Sequence, residues 1–151
     1  MTGKMDRMAT WRDRASQEVQ DDLDGLLDAS LPFAQTMLGQ HGEFVPYAVT
    51  LDEHRETRMV AAEPGRGEQP ASREMLKHLR AGLRSERDGL YAVALVSDIR
   101  ATGFDAIRIE LEHREGHAIA VLLPYKRKRL RRGFEYSPLV AAPSHQQIWP
   151  S

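Results

Sequence analysis

Val19, Leu23, Leu26, Leu27, Ala34, Met37 and Leu38 recur at three- and four-residue steps, with Asp21, Asp22, Asp24 and Asp28 largely on the opposite side. That period predicts a helix from about Ala15 to Leu38. Pro32 interrupts it, and either kinks one long helix or opens a second short one with Ser30 as a cap. Gly39 and Gly42 are the expected stop. GEFVPYAVTLD then reads as a strand from Glu43 to Leu51. Its Pro46 has no N–H to give, which argues for an edge or a bulge. DEHRE is a turn, TRMVAA (57–62) the antiparallel return, and EPGRGEQP (63–70) a Gly/Pro-rich loop. Met75, Leu76, Leu79 and Leu83 mark a second helix from about Ala71 to Arg87, stopped at Asp88-Gly89.

LYAVALVS (90–97) is apolar at nearly every position, the pattern of a central strand buried on both faces. Further on, Ile107, Ile109, Leu111 and His113 alternate with Arg108, Glu110, Glu112 and Arg114, a half-buried strand with a charged outer face. Its partner is Ala118 to Leu123. A two-residue turn at Glu115-Gly116 would set Glu110 opposite Val121. A three-residue turn, Arg114-Glu115-Gly116, pairs Leu111 with Ile119, Ile109 with Val121 and Ile107 with Leu123. Only the second collects the large branched residues on one face, and it puts Gly116 where a left-handed residue is wanted. GFEYSPLVA (133–141) reads as one short last strand.

Helix, two strands, helix and then three or four strands make an α+β fold. The expected architecture is an antiparallel sheet of five to six strands with two main helices packed on one face. The expected domain runs over residues 13–141, between a disordered N-terminus (1–12) and an irregular tail (142–151) whose Ile148-Trp149 docks on the body.

Composition narrows the chemistry. The 151 residues include no cysteine, which excludes disulfides, thiol catalysis and Cys-ligated zinc. No apolar run approaches the roughly 18 residues of a membrane span, and the first residues lack a signal-peptide core. These features predict a soluble, cytoplasmic protein with no membrane partner. Net charge is −1 but uneven, about −4 over residues 1–89 and +3 over 90–151.

The basic run PYKRKRLRRG holds six cations in seven positions. Lys126, Arg127, Lys128, Arg129, Arg131 and Arg132 are candidate anion-binding residues, with Tyr125, Phe134 and Tyr136 offered for base stacking. A charged outer strand that blocks edge pairing accounts for the same pattern, and in an extended chain alternation would split the cations between two sides. His113 and His117 face each other in the expected register, close enough to share a metal, but no further ligand has suitable spacing. They read better as half-exposed histidines capping the core. Glu110 and Glu112 sit beside Arg108 and Arg114, which would neutralise them. Asp52, Glu53, His54 and Glu56 read as solvated turn charges. GRG (65–67) lacks the spacing of a phosphate loop. No cofactor and no catalytic residue is predicted.

HGEFVPYAVTLD (41–52), the helix at 71–87, YAVALVSDIRA (91–101), DAIRIELEHREG (105–116) and AVLLPY (120–125) resemble blocks of a family of small bacterial α+β proteins of unknown function, over about residues 30–125. The element order is also similar to small bacterial immunity proteins and secretion-chaperone-like domains. That resemblance implies action by binding a partner protein. The leading expectation is therefore a non-enzymatic protein-binding or regulatory module. Trp11, Leu31 and Phe33 form its expected partner or homodimer interface. Nucleic-acid or polyanion binding through 125–136 is the alternative. A third reading is a small-ligand binder or enzyme with a pocket near Tyr47, Arg100 and His113.

Overall fold

A computed structural model describes residues 11–61, 72–101, 103–131 and 133–150. The expected 63–70 loop, residues 1–10 of the expected disordered N-terminus, and Arg132 lie outside them. The elements are α1 (Gln17–His41), β1 (Tyr47–Asp52), β2 (Thr57–Ala61), α2 (Ser72–Glu86), β3 (Leu90–Ala101), β4 (Phe104–His113), β5 (His117–Arg127), β6 (Phe134–Tyr136) and β7 (Val140–Pro143). A single 3-10 turn, Arg87–Gly89, joins α2 to β3.

Ser16 opens α1, its hydroxyl accepting from the Val19 N–H. Gly42 closes it in the left-handed region at φ 76°. Pro32 does not divide the helix. Pro32 and Asp28 are both exposed, so the Asp28 carbonyl that loses its helical donor faces water. Ser30 is no cap. It is fully buried, and its hydroxyl donates back to the Leu26 carbonyl at 2.7 Å, which keeps a polar group satisfied inside the apolar stripe. Gly39 is passed over, and the helix runs on to His41.

The sheet is antiparallel throughout, in the order β2-β1-β3-β4-β5-β6, with β7 also paired to β5. β3 lies inside it and is buried on both faces, as its unbroken apolar run requires. β1 is an interior strand rather than an edge. Pro46 stands just before its first residue, where no ladder bond is lost. The β4–β5 register is the three-residue-turn register, with Leu111 opposite Ile119, Ile109 opposite Val121 and Ile107 opposite Leu123. Gly116 has φ 97°.

The fold is α+β, with an antiparallel sheet and two main helices. Those helices, however, cover opposite faces of the sheet. Val19, Leu23, Leu26, Ala34 and Leu38 of α1 pack on Val49, Ala94, Val96, Ile107, Ile109, Val121 and Leu123. Leu79 and Leu83 of α2 pack on Ala48, Val93 and Leu95 from the other side, together with Ile148 of the C-terminal tail. The reason is visible in β3. Successive side chains point to opposite faces, so a strand apolar at every position exposes one face unless both are covered.

The expected limits of the domain also move. Trp11 and Arg12 belong to an ordered turn before α1. Arg12 pairs with Asp24 through two contacts at 2.8 and 3.1 Å, and Gln20 donates to the Arg12 carbonyl. GFEYSPLVA folds as two strands rather than one, because β6 pairs with the far end of β5 and β7 with its beginning. Residues 142 and 143 therefore belong to the sheet. The tail beyond them is irregular but docked, with Ile148 buried.

Tyr47 ties β1 to α1 inside this core. Its hydroxyl donates to the Ser30 carbonyl at 2.5 Å, and burial raises its pKa above the ordinary value of 10.0. As pH rises, the unfolded chain loses this proton first. Tyr47's contribution is thus intact below pH 10.0 and erodes above it. Tyr47→Phe is expected to cost about 1 kcal/mol at neutral pH. It should also make the alkaline fall in stability shallower, as read from denaturant midpoints between about pH 8 and 11. An unchanged alkaline slope would show that Tyr47 does not carry it.

Candidate anion-binding hairpin

β5 ends at Arg127 and its antiparallel partner β6 begins at Phe134. The Lys128 N–H donates to the Gly133 carbonyl at 3.1 Å, and Gly133 takes φ 111°, a left-handed turn position that glycine accepts without strain. Only Lys126 and Arg127 of the basic run lie in a strand. Lys128, Arg129, Leu130 and Arg131 form the tip, so strand alternation does not divide their side chains. They line one surface hollow of about 310 Å³ together with Glu135. Leu130, at 97% exposed, is the most exposed large apolar residue described.

The six candidate cations are not equivalent. Arg127 is structural. Its guanidinium donates to the Gly42 carbonyl at 3.1 Å, beside Arg100, which reaches the same oxygen at 2.7 Å. Two cations on the carbonyl end of α1 complement the helix dipole. A side chain at residue 42 would push aside the Arg127 guanidinium, 2.6 Å from the Cβ position and free to swing, so it is the left-handed φ that calls for glycine there. Lys126 faces Glu135 across the β5–β6 ladder. Lys128, Arg129 and Arg131 make no ion pair among the described residues. Arg132 lies outside those residues.

The aromatic residues offered for stacking are largely committed to the core. Tyr125 is buried, donates its hydroxyl to Asp98, and meets Phe134 edge to face at 5.4 Å. Burial, then the bond to Asp98, raises the Tyr125 pKa. Phe134 lies under Arg127 at 5.1 Å and packs on the core. Tyr136 keeps an exposed edge.

Trp11, Leu31 and Phe33 do not form one surface. Trp11 and Leu31 pack against the core. Phe33, 38% exposed, rests edge to face on Tyr47 at 4.9 Å, most of the length of α1 away from Trp11. Nor do Tyr47, His113 and Arg100 share a pocket. Tyr47 and His113 are both buried and lie four β3 residues apart, opposite Val96 and Ala92, while Arg100 is turned to the end of α1.

His113 and His117 are cross-strand partners, but His113 is only 1% exposed rather than half-exposed. Its Nε2 lies 2.9 Å from Asp22 Oδ2, and its Nδ1 accepts the Glu115 N–H at 3.1 Å. That second bond places the proton on Nε2, toward the carboxylate. Asp22 also holds Arg55 at 2.7 Å, and Arg55 reaches Glu18 at 2.6 Å. Arg55 sits at φ 64° in the β1–β2 turn, a conformation that costs a non-glycine residue about 1 kcal/mol. Its two carboxylate contacts and its place over the Tyr91 ring, opposite Arg114, hold it there. Asp52 accepts the His54 and Glu56 N–H groups and shapes the same turn, which lowers its pKa. Both ring nitrogens of His113 are engaged, so the cluster ties α1 to the sheet. The sequence held one hint of it. Asp22 lies three residues after Val19 and four before Leu26, at the margin of the buried stripe.

Among the described residues, no three His, Asp or Glu side chains gather as a metal site would require, and no helix is long and apolar enough to cross a membrane. No family model, no curated protein and no solved structure matches the chain.

Proposed function

We propose that this protein is a non-enzymatic binding module that docks onto an acidic partner protein through the tip of the β5–β6 hairpin. The observation that supports it is the fully exposed Leu130 among Lys128, Arg129 and Arg131, around a single hollow. A lone exposed leucine is ordinary on a protein surface, but one framed by three cations without ion pairs among the described residues gives an acidic partner an apolar contact to cover. The surrounding cations would steer an acidic surface onto it. Nucleic acid is the weaker reading. Phosphates would use the cations, but Leu130 adds nothing to a phosphate contact, and Tyr125 and Phe134 are taken up by packing. A bacterial cytoplasmic setting belongs to the same proposal. The lack of cysteine and the resemblance to small bacterial α+β proteins support it, as does the partner-binding habit of the folds with similar element order.

The test is a photo-crosslinking residue at position 130 of the full chain, with one at exposed His78 on α2 as control. A defined protein adduct at 130, absent at 78 and lost on Arg129→Glu plus Arg131→Glu, is expected. Nucleic-acid adducts alone, together with binding that collapses between about 50 and 200 mM salt, would replace the proposal with the polyanion reading. Equal labelling at 130 and 78 would end both.

A further inference from the structure

A second concavity lies at the other end of β5, and the hairpin reading does not involve it. It is an open groove of about 510 Å³ along the seam of β5 and β7. Trp11 and Arg14 line one wall, and His117, Ser144 and the cross-strand pair Ile119 and Pro143 line the strand side, its floor. We propose that this groove binds a small aromatic anion, an aryl carboxylate or aryl sulfonate.

The volume lies in the range of about 300–1,000 Å³ found for small-molecule sites, and the lining has their character, an apolar floor with a few convergent polar groups. The indole and the floor offer flat apolar surface for a ring. Arg14, His117 and Ser144 supply donors, and among the described residues no acidic side chain lines the groove. Arg14 and His117 make no salt bridge among the described residues, so neither is already neutralised there. Both can donate charge-assisted bonds to a carboxylate or sulfonate.

The wall is also held in place before any ligand arrives. Arg12, between Trp11 and Arg14, is clamped to Asp24 at 2.8 and 3.1 Å. Gln20 donates to the carbonyls of Arg12 and Ala15 at 3.0 and 3.1 Å. The guanidinium of Arg12 lies 4.8 Å from the centre of the Trp11 ring. Three ties to α1 therefore set the indole beside the seam, and a preorganised wall lowers the entropy lost on binding.

The experiment titrates the isotopically labelled full chain with naphthalene-1-carboxylate and, separately, with the uncharged 1-naphthalenemethanol, following backbone amide shifts. Saturable shifts at residues 117–119, 142 and 144 with the carboxylate, and binding of the alcohol about tenfold weaker or more, are expected. Arg14→Ala and His117→Ala should each weaken the carboxylate by about tenfold, whereas Lys77→Ala on α2 should leave it unchanged. Arg14 is exposed, so its replacement does not endanger folding. Three results would overturn the proposal. They are no saturation up to roughly 10 mM, equal affinity for the alcohol, or shifts that map to the basic tip rather than the seam.

Discussion

Replacing Glu112 by alanine is expected to destabilise the protein by roughly 3 kcal/mol and to release the C-terminal tail. Glu112 is 5% exposed, on the α2 face of β4. One carboxylate oxygen accepts the Gln147 N–H at 2.7 Å, and the other accepts the Ile148 and Trp149 N–H groups at 2.9 and 2.8 Å. Three consecutive backbone donors thus converge on one buried acceptor. The tail's carbonyls are held in turn, Gln147 by Arg84 at 2.6 Å and Ile148 by Arg87 at 3.1 Å. Ile148 is thereby set among Leu79, Leu83, Leu90, Val93 and Leu95. Alanine would leave three donors without an acceptor and a void beneath them. Glutamine keeps the shape and one acceptor oxygen, so Glu112→Gln should cost about 1–2 kcal/mol. Denaturant titration gives the order, and hydrogen exchange at 147–149 shows whether the tail has come free. A change under about 0.5 kcal/mol for Glu112→Ala would mean that the tail is held by Ile148 packing alone.

Asp22→Ala is expected to cost about 3 kcal/mol, nearly as much. It strands the His113 Nε2–H inside the core and removes one of the two carboxylates holding Arg55. Arg55 would keep its left-handed backbone with less to stabilise it. The effect should depend on the partner. In a His113→Leu background there is no imidazole N–H for the second substitution to strand, and the Glu115 N–H has lost its acceptor whether or not Asp22 is present, so Asp22→Ala should cost clearly less there. The double-mutant cycle should return a coupling of about 1–3 kcal/mol. Additive losses would show that Asp22 acts through Arg55 and Glu18 at the surface rather than through the buried histidine.

By local pattern alone both anchors are surface charges. The alternation of β4 places Glu110 and Glu112 on an outer face beside neighbouring arginines that would neutralise them. One of those pairings exists, Arg108 with Glu110 at 3.8 Å, but Arg80 of α2 is closer at 2.9 Å. The acceptor role of Glu112 depends on a tail 35 to 37 positions later, and no local pattern carries that information. The basic run shows the opposite limit. Its composition was plain, but the strand ends at Arg127, and only that geometry separates a helix-capping Arg127 from the tip cations.

What the sequence determined by itself is the part set by short-range periodicity. The α1 stripe, the doubly buried β3, and the turn length and register of the β4–β5 hairpin all follow from which side of a local element is apolar. In the β4–β5 hairpin a one-residue slip would turn every side chain to the opposite face, so the alternatives are few. The tertiary structure alone decided the rest. It set α2 across the sheet from α1, ran α1 unbroken through Pro32, split the last strand between two ends of β5, buried Glu112 and His113, and drew the half-buried Asp22 onto His113. These outcomes rest on contacts between segments far apart in the chain. There a charged residue is buried or solvated according to which partner arrives, and its neighbours in sequence do not record that partner.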